Sequence, residues 1–104
     1  MAKAKRTITR KTIKPGKDIT ASMAEDFRQS LRKFLDQGVV EMTIDLTGVK
    51  MIDSVGLGIL IATHNSLENV GGSLSITNVS QNIYNLFNTM RLDQHFEVKT
   101  ETAH

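Results

Sequence analysis

The sequence predicts one α/β domain built on a largely parallel sheet. A chain of 104 residues is long enough for one continuous core but not for two. Hydrophobic residues make up 39% and charged residues 23%, as in ordinary globular proteins. Segments of two-residue alternation also take turns with segments of helical periodicity, which favours parallel strands joined by right-handed crossovers. We therefore expect four to five strands, mostly parallel with room for a mixed pairing of the first strand, and three or more helices.

The chain begins with a basic segment. Seven of its 13 basic residues precede Asp18, whereas six basic residues face 11 acidic ones from Asp18 onward. Ile8–Ile13 is rich in threonine and isoleucine and ends at a Lys-Pro-Gly turn, so a short strand is predicted there. We assign 1–17 to a basic strand or arm of the same domain. Because this arm contains no aromatic residue and no recognition helix, we expect it to be solvated and not to bind nucleic acid.

The predicted core extends over 18–99 and is followed by a polar tail, 100–104. Its first helix has a capping-box spacing at Ser22 and Glu25 and ends at Gly38, a good left-handed cap. The apolar positions of this helix recur at intervals of three and four: Met23, Phe27, Leu31, Phe34 and Leu35.

A strand is predicted next, over Val39–Leu46, because apolar and polar residues alternate there. The second helix begins near Ser54 and stops at two glycines, Gly71 and Gly72, with one apolar stripe formed by Leu57, Leu60, Ile61, His64 and Leu67. His64 on that stripe is predicted to be a packed, hydrogen-bonded residue and not a catalytic base. Asp45, at the end of the strand, is predicted to anchor a loop.

The remaining elements follow the same alternation. Leu74, Ile76 and Val79 alternate in a third strand, and Ser80 can cap a third helix. That helix carries Ile83, Leu86, Phe87 and Met90. Phe96 and Val98 then mark a short last strand before the polar end.

Two glycines stand in the first turn of the second helix, where each disfavours the helix by about 1 kcal/mol relative to alanine. Gly56 and Gly58 have two explanations that fit the sequence equally well. They leave the backbone open to close approach by another molecule, or they allow the helix to pack tightly on its own sheet.

Asp53 and Ser54 are both good capping residues, so a simple structural role as the helix cap is one interpretation of Ser54. The other interpretation is that Ser54 is a residue that accepts a phosphate. Backbone N–H groups and the positive end of the helix dipole could stabilise its charge, while the new charge beside Asp53 would oppose an apolar or acidic partner.

Other site classes fit the sequence poorly. Ile52 stands where G-x-S-x-G needs its first glycine, Ile61 stands where G-x-G-x-x-G needs its third, and the phosphate-binding loop motif of nucleotide hydrolases is absent. No cysteine occurs and the three histidines are scattered, so we expect no metal and no cofactor. No stretch resembles a membrane span or a secretory signal, so we expect no membrane contact and a cytoplasmic location.

The segment from Ile44 to Leu60 reads I-D-L-T-G-V-K-M-I-D-S-V-G-L-G-I-L and resembles the signature of STAS domains, the family of anti-sigma factor antagonists. The Gly71–Gly72 pair and the segment Asn78–Phe96 resemble later parts of the same family, so the resemblance covers the chain from about Asp18 onward. Val55 departs from it, because a small or hydroxyl residue is common at that position.

The resemblance implies a STAS-like fold and a role in partner switching rather than catalysis. Ser54 corresponds to the family's phosphorylated serine, and Asp18 corresponds to an aspartate that lies near it. In the family, the unphosphorylated protein binds an anti-sigma factor that is also a serine kinase of the ATP-binding, histidine-kinase-like type, and a serine phosphatase reverses the modification. ATP therefore belongs to the kinase, not to this chain.

Our hypothesis from sequence is that Ser54 is the phosphoacceptor of a non-enzymatic bacterial regulator. Its partner-binding residues would be Asp18, Asp53, Val55, Gly56 and Leu57, together with the exposed face of the second helix. Two alternatives remain open at this point. One is a STAS scaffold or sensory module in which Ser54 only caps a helix, and the other is a small nucleotide-binding hydrolase or phosphotransferase suggested by Gly56 and Gly58.

Overall fold

The computed structural model describes residues 10–100, with Asp93 described by its backbone alone. The first nine residues of the predicted arm and the last four of the tail lie outside this range. The elements follow the predicted order: β1 (Arg10–Ile13), α1 (Ala21–Asp36), β2 (Glu41–Asp45), α2 (Ser54–Asn69), β3 (Ser73–Val79), α3 (Gln81–Thr89), a 3₁₀ turn (Leu92–Gln94) and β4 (Glu97–Thr100). The prediction of a single α/β domain is confirmed, although Phe96 lies just before the last strand and not inside it.

The four described strands form one sheet in the order β1-β2-β3-β4, and every pairing between them is parallel. The mixed pairing left open for the first strand therefore does not occur, because β1 lies parallel to β2 at the sheet edge. An aliphatic row crosses the whole sheet in register: Ile13, Ile44, Ile76 and Val98. Since one residue of slippage would move this row to the other face, it fixes the pairing.

The three α-helices cover a single face of the sheet. Each crossover advances by one strand in the same direction, so right-handed connections place every helix on the same side. Burial agrees with this arrangement: Met42, Ile44, Leu74 and Ile76 are buried, whereas Thr43 and Ser75 on the opposite face are only half-buried. The uncovered face is polar and carries an ion pair between Arg10 and Glu41 at 3.0 Å.

The end of α2 explains the glycine pair. The Gly72 N–H donates to the Leu67 carbonyl at 2.8 Å and the Gly71 N–H donates to the Glu68 carbonyl at 3.0 Å, which together form a Schellman motif. Gly71 has a positive φ of 78°, and a Cβ on Gly72 would lie 1.8 Å from the Val40 carbonyl oxygen. The two glycines therefore turn the chain and bring it directly against Val40, the residue before β2.

One predicted helix start is confirmed and another is wrong. The Ser80 hydroxyl accepts from the Ile83 N–H at 3.3 Å and caps α3, as predicted. The capping box at Ser22 and Glu25 does not form, because the N-cap of α1 lies two residues before Ser22 and the Glu25 carboxylate binds Arg28 instead. The N-cap residue, Thr20, contributes no side-chain cap bond. A residue distant in sequence supplies that bond, as described next.

Candidate functional site

Two loops meet at the carboxyl end of the sheet and form the surroundings of Ser54. The first leads from β1 into α1, and the second leads from β2 into α2. They are joined by a parallel bridge between Ile19 and Ile52. The Ile19 N–H donates to the Met51 carbonyl at 3.0 Å, and the Asp53 N–H donates to the Ile19 carbonyl at 3.1 Å. Ser54 therefore follows a loop that is held by backbone hydrogen bonds.

Asp18 strengthens this junction from the first loop. Its Oδ1 accepts from the Lys50 N–H at 2.8 Å and from the Met51 N–H at 3.1 Å. These contacts lie three and four residues before Ser54. In the structure the Asp18 carboxylate thus serves to shape the loop that carries the predicted phosphoacceptor.

Asp53 holds the junction from the other side, because its carboxylate caps two helices at once. Oδ1 accepts from the Gly56 N–H in the first turn of α2 at 2.9 Å. Oδ2 accepts from the Ala21 N–H at the start of α1, also at 2.9 Å. These bonds, with that from Gly56 the larger influence, hold the pKa of Asp53 below its ordinary value. Sequence reasoning identified a cap at Asp53 but missed its second helix, since no local pattern signals a partner 32 residues away.

Ser54 is the first residue of α2 and is exposed. The interpretation of Ser54 as the helix cap is wrong, because Asp53 occupies the N-cap position and its carboxylate makes the cap bond. Ser54 is thus not required as the helix cap, and it is an exposed residue at the positive end of α2. Asp53 already takes the Gly56 N–H, so that donor is engaged before any phosphate is present.

The residues around Ser54 divide into exposed and buried sets. Met51 and Val55 are 51% and 44% exposed, so an accessible apolar residue stands on each side of Ser54 in the sequence. Gly56 and Leu57 are buried, so the prediction that they contact a partner does not fit their position. Gly58, unlike Gly56 and Leu57, is exposed and lies on the accessible side of the helix.

The two glycines separate the explanations that the sequence left open. A Cβ on Gly56 would lie 2.6 Å from the Ile19 carbonyl oxygen and 2.8 Å from a methyl group of Ile52, so this glycine allows tight packing of α2 on the loop bridge. A Cβ on Gly58 would meet nothing within 4 Å. The internal explanation applies to Gly56, and only Gly58 leaves the backbone open to another molecule.

Asp45 anchors the end of β2, as predicted. Its Oδ1 accepts from the Thr47 N–H at 2.9 Å, from the Thr47 hydroxyl at 2.6 Å and from the Asn78 side chain at 3.0 Å. The Thr47 hydroxyl and the Asn78 amide, followed by the Thr47 N–H, hold the pKa of this carboxyl below its ordinary value. Asp45 thus anchors the start of the loop between β2 and α2 through its hydrogen bonds to Thr47 and Asn78.

His64 is packed in the core, but the predicted hydrogen bond is not formed. Its ring lies edge-on to Phe96 with 5.7 Å between centroids. Nδ1 is buried and has no partner among the described residues, and Nε2 lies 3.7 Å from a Glu68 carboxylate oxygen. Within residues 10–100 we find no group of three or more side chains able to hold a metal. Nor is any helix of the described part long and apolar enough to cross a membrane.

A family model for the STAS domain matches residues 2–104. The chain belongs to the STAS domain family. This confirms the resemblance drawn from Ile44–Leu60, and the junction described above is the part of the fold that carries this motif. Among curated relatives, the anti-sigma-B factor antagonist of Bacillus subtilis (strain 168) is 28% identical over 85 residues, which cover 82% of this chain and 77% of that protein.

Solved structures share the fold. A candidate anti-sigma factor antagonist from Thermotoga maritima superposes with a TM-score of 0.83 at 21% identity, covering 91% of this chain and 82% of that one. The Bacillus cell fate determinant SpoIIAA superposes in both of its forms with a TM-score of 0.72. Identity is 19% and coverage 96% and 86% for the unphosphorylated form, against 21%, 94% and 89% for the phosphorylated form. At these identities the comparison establishes the fold alone.

Proposed function

We propose that this STAS protein is a phosphorylation-controlled antagonist of an anti-sigma factor, with Ser54 as its phosphoacceptor. The observation that carries the proposal is the position of Ser54: exposed, first in α2, and directly after the Asp53 of the family motif. The curated relatives that match the chain are named anti-sigma-B factor antagonists, which supports the same role.

The contact surface in this proposal consists of Met51, Ser54, Val55 and Gly58. Met51 and Val55 are exposed apolar residues close to Ser54 in the sequence, and Gly58 lets a partner approach the helix backbone. Asp18 and Asp53 contribute indirectly, because their hydrogen bonds fix the loop and the helix start that carry this surface. A preformed surface of this kind binds without the entropic cost of ordering a loop.

Phosphorylation would act on the partner interface and leave the fold intact. A phosphate carries about −1.5 to −2 charges at neutral pH. At Ser54 this charge would follow directly after Asp53 in the chain and lie in a segment with two exposed apolar residues, Met51 and Val55, so it would oppose an apolar or acidic partner. The partner in this proposal is an anti-sigma factor that is also an ATP-dependent serine kinase of the histidine-kinase-like type.

In the proposed cycle the chain is a non-enzymatic substrate in the cytoplasm, and a serine phosphatase restores its binding form. The rival interpretation as a nucleotide-binding hydrolase or phosphotransferase rested on Gly56 and Gly58. It loses half of that support, because Gly56 has an internal packing role.

The test uses the chain and the anti-sigma factor kinase encoded in the same genome. Mass spectrometry after incubation with ATP should place the phosphate on Ser54. In calorimetry, Ser54→Ala should bind the kinase as the unmodified chain does, whereas Ser54→Asp should weaken binding about tenfold or more. Ser30→Asp, which adds the same charge to an exposed serine of α1, is the matched control. Phosphate mapped elsewhere with Ser54 unmodified would contradict the proposal, as would undiminished binding by Ser54→Asp.

A further inference from the structure

A groove lies between the last turns of α1 and α2, at the opposite end of the domain from Ser54. Its volume is about 270 Å³, and its apolar lining includes Leu35, Val40 and Val70. Val70 is 60% exposed, more than any other large apolar side chain in the described part of the chain. At a rise of about 1.5 Å per residue, Val70 is about 24 Å along α2 from Ser54. The groove is therefore separate from the surface assigned to the anti-sigma factor.

Two opposite charges stand on the rim of this groove. Arg32 and Asp36 both line it, and they lie one helical turn apart at the end of α1. Both are exposed, and neither forms an ion pair within residues 10–100. Arg28, one turn earlier on α1, differs because Glu25 holds it at 2.7 Å. The rim thus presents one positive and one negative side chain that are available to a second molecule.

This pattern of charge is self-complementary. A two-fold axis passing between Arg32 and Asp36 would set the ends of two α1 helices antiparallel, with each arginine opposite the other copy's aspartate. Isologous contacts need this property, because the same patch must fit itself. Each Val70 could then fill the other copy's groove, which would remove two exposed apolar side chains from water.

We propose that two copies of the chain associate through this groove, with Arg32 of each copy paired to Asp36 of the other. The dimer leaves both Ser54 surfaces free, since they lie at the far end of α2. The inference does not depend on the proposed function, because neither Arg32 nor Asp36 belongs to the partner surface. Ser54→Asp, which tests that surface, should leave the association unchanged.

Sedimentation equilibrium of the whole chain tests the dimer. Between about 10 µM and about 1 mM, the average mass should rise from 11.6 kDa toward twice that value. Arg32→Asp and Asp36→Arg should each weaken association about tenfold or more, because two contacts become repulsive. Mixing these two variants in equal amounts should restore a dimer, since one copy then offers two aspartates and the other two arginines. A loss of folding cannot produce this rescue.

Lys33→Asp is the matched control, because it makes the same change of charge on an exposed residue of α1 outside the groove. It should leave the mass distribution as in the unmodified chain. The proposal is overturned if the mass stays at 11.6 kDa throughout, as it would if a foreign partner or residues 1–9 filled the groove. It is also overturned if the mixed variants fail to associate, or if Lys33→Asp disrupts the dimer as strongly as Arg32→Asp.

Discussion

Single residues in the first turn of α2 have different physical roles although they stand side by side. Asp53 caps, Ser54 is exposed, Gly56 is buried under the loop bridge and Gly58 faces open space. The start of α2 is thus partly interior and partly surface within the six residues from Asp53 to Gly58. A substitution here acts on stability or on the surface according to which side of the helix it falls.

The two glycines give the clearest test of this division. Gly56→Ala should lower the free energy of unfolding by about 1–3 kcal/mol, because its Cβ would overlap the Ile19 carbonyl oxygen and Ile52. Gly58→Ala should raise it by about 0.5–1 kcal/mol, because a helical alanine there meets no neighbour. Urea denaturation of the two variants measures both values. Equal effects of the same sign would show that the two positions are not on opposite sides of the helix.

At the scale of elements, the two loops and the starts of α1 and α2 form one unit held by two carboxylates. Asp18 reaches from the first loop to the backbone of the second, and Asp53 reaches back to the first N–H of α1. Each loop therefore supplies the side chain that satisfies the backbone of the other. Disturbing either aspartate should affect both helix starts.

The Asp53 carboxylate makes this link sensitive to acid. Its pKa is held below 3.8, the ordinary value for aspartate, by the N–H groups of Gly56 and Ala21. A carboxyl group whose pKa is lowered in the folded state stabilises the fold at pH values above its ordinary pKa. This contribution is lost as the pH falls through the folded-state pKa. Asn can accept through only one oxygen, so Asp53→Asn should unfold at a lower temperature than the unmodified chain at neutral pH.

The difference between the two melting temperatures should shrink as the pH is lowered below 3.8. Thermal unfolding followed by circular dichroism at a series of pH values measures it. Asp26→Asn, which removes an exposed carboxylate from the surface of α1, serves as the control and should track the unmodified chain at every pH. A gap for Asp53→Asn that is independent of pH would mean that the carboxylate charge contributes nothing to the link.

At the scale of the whole molecule, residues 10–100 form two layers, with the helices on one face of a parallel sheet and none of these residues packed over the other face. Parallel sheets are usually covered on both faces, and their strands then read as continuous apolar runs. Here β2 alternates instead, with Met42 and Ile44 under the helices and Glu41 and Thr43 outward. The alternation follows from the order of the strands, because it places every crossover on the same side.

Neighbouring residues of β2 test this arrangement. Ile44→Ala should lower the free energy of unfolding by about 2–5 kcal/mol, because Ile44 is fully buried and a cavity would remain. Thr43→Ala on the uncovered face should change it by less than about 1 kcal/mol. Chemical denaturation of both variants gives the comparison. A cost at Thr43 as large as that at Ile44 would indicate that something covers the polar face.

The sequence by itself determined the order of the elements, the position of Ser54 at the start of α2 and the local cap of α3 at Ser80. Those features depend on periodicity and local hydrogen bonding, which are readable along the chain. Only the tertiary structure decided that Asp53 serves α1, that Gly56 is interior, and that β1 pairs in parallel. Each depends on the approach of segments some 30 residues apart. At the junction, the loop that contains Ile19 packs against the loop that contains Ile52, and no local sequence pattern encodes this packing.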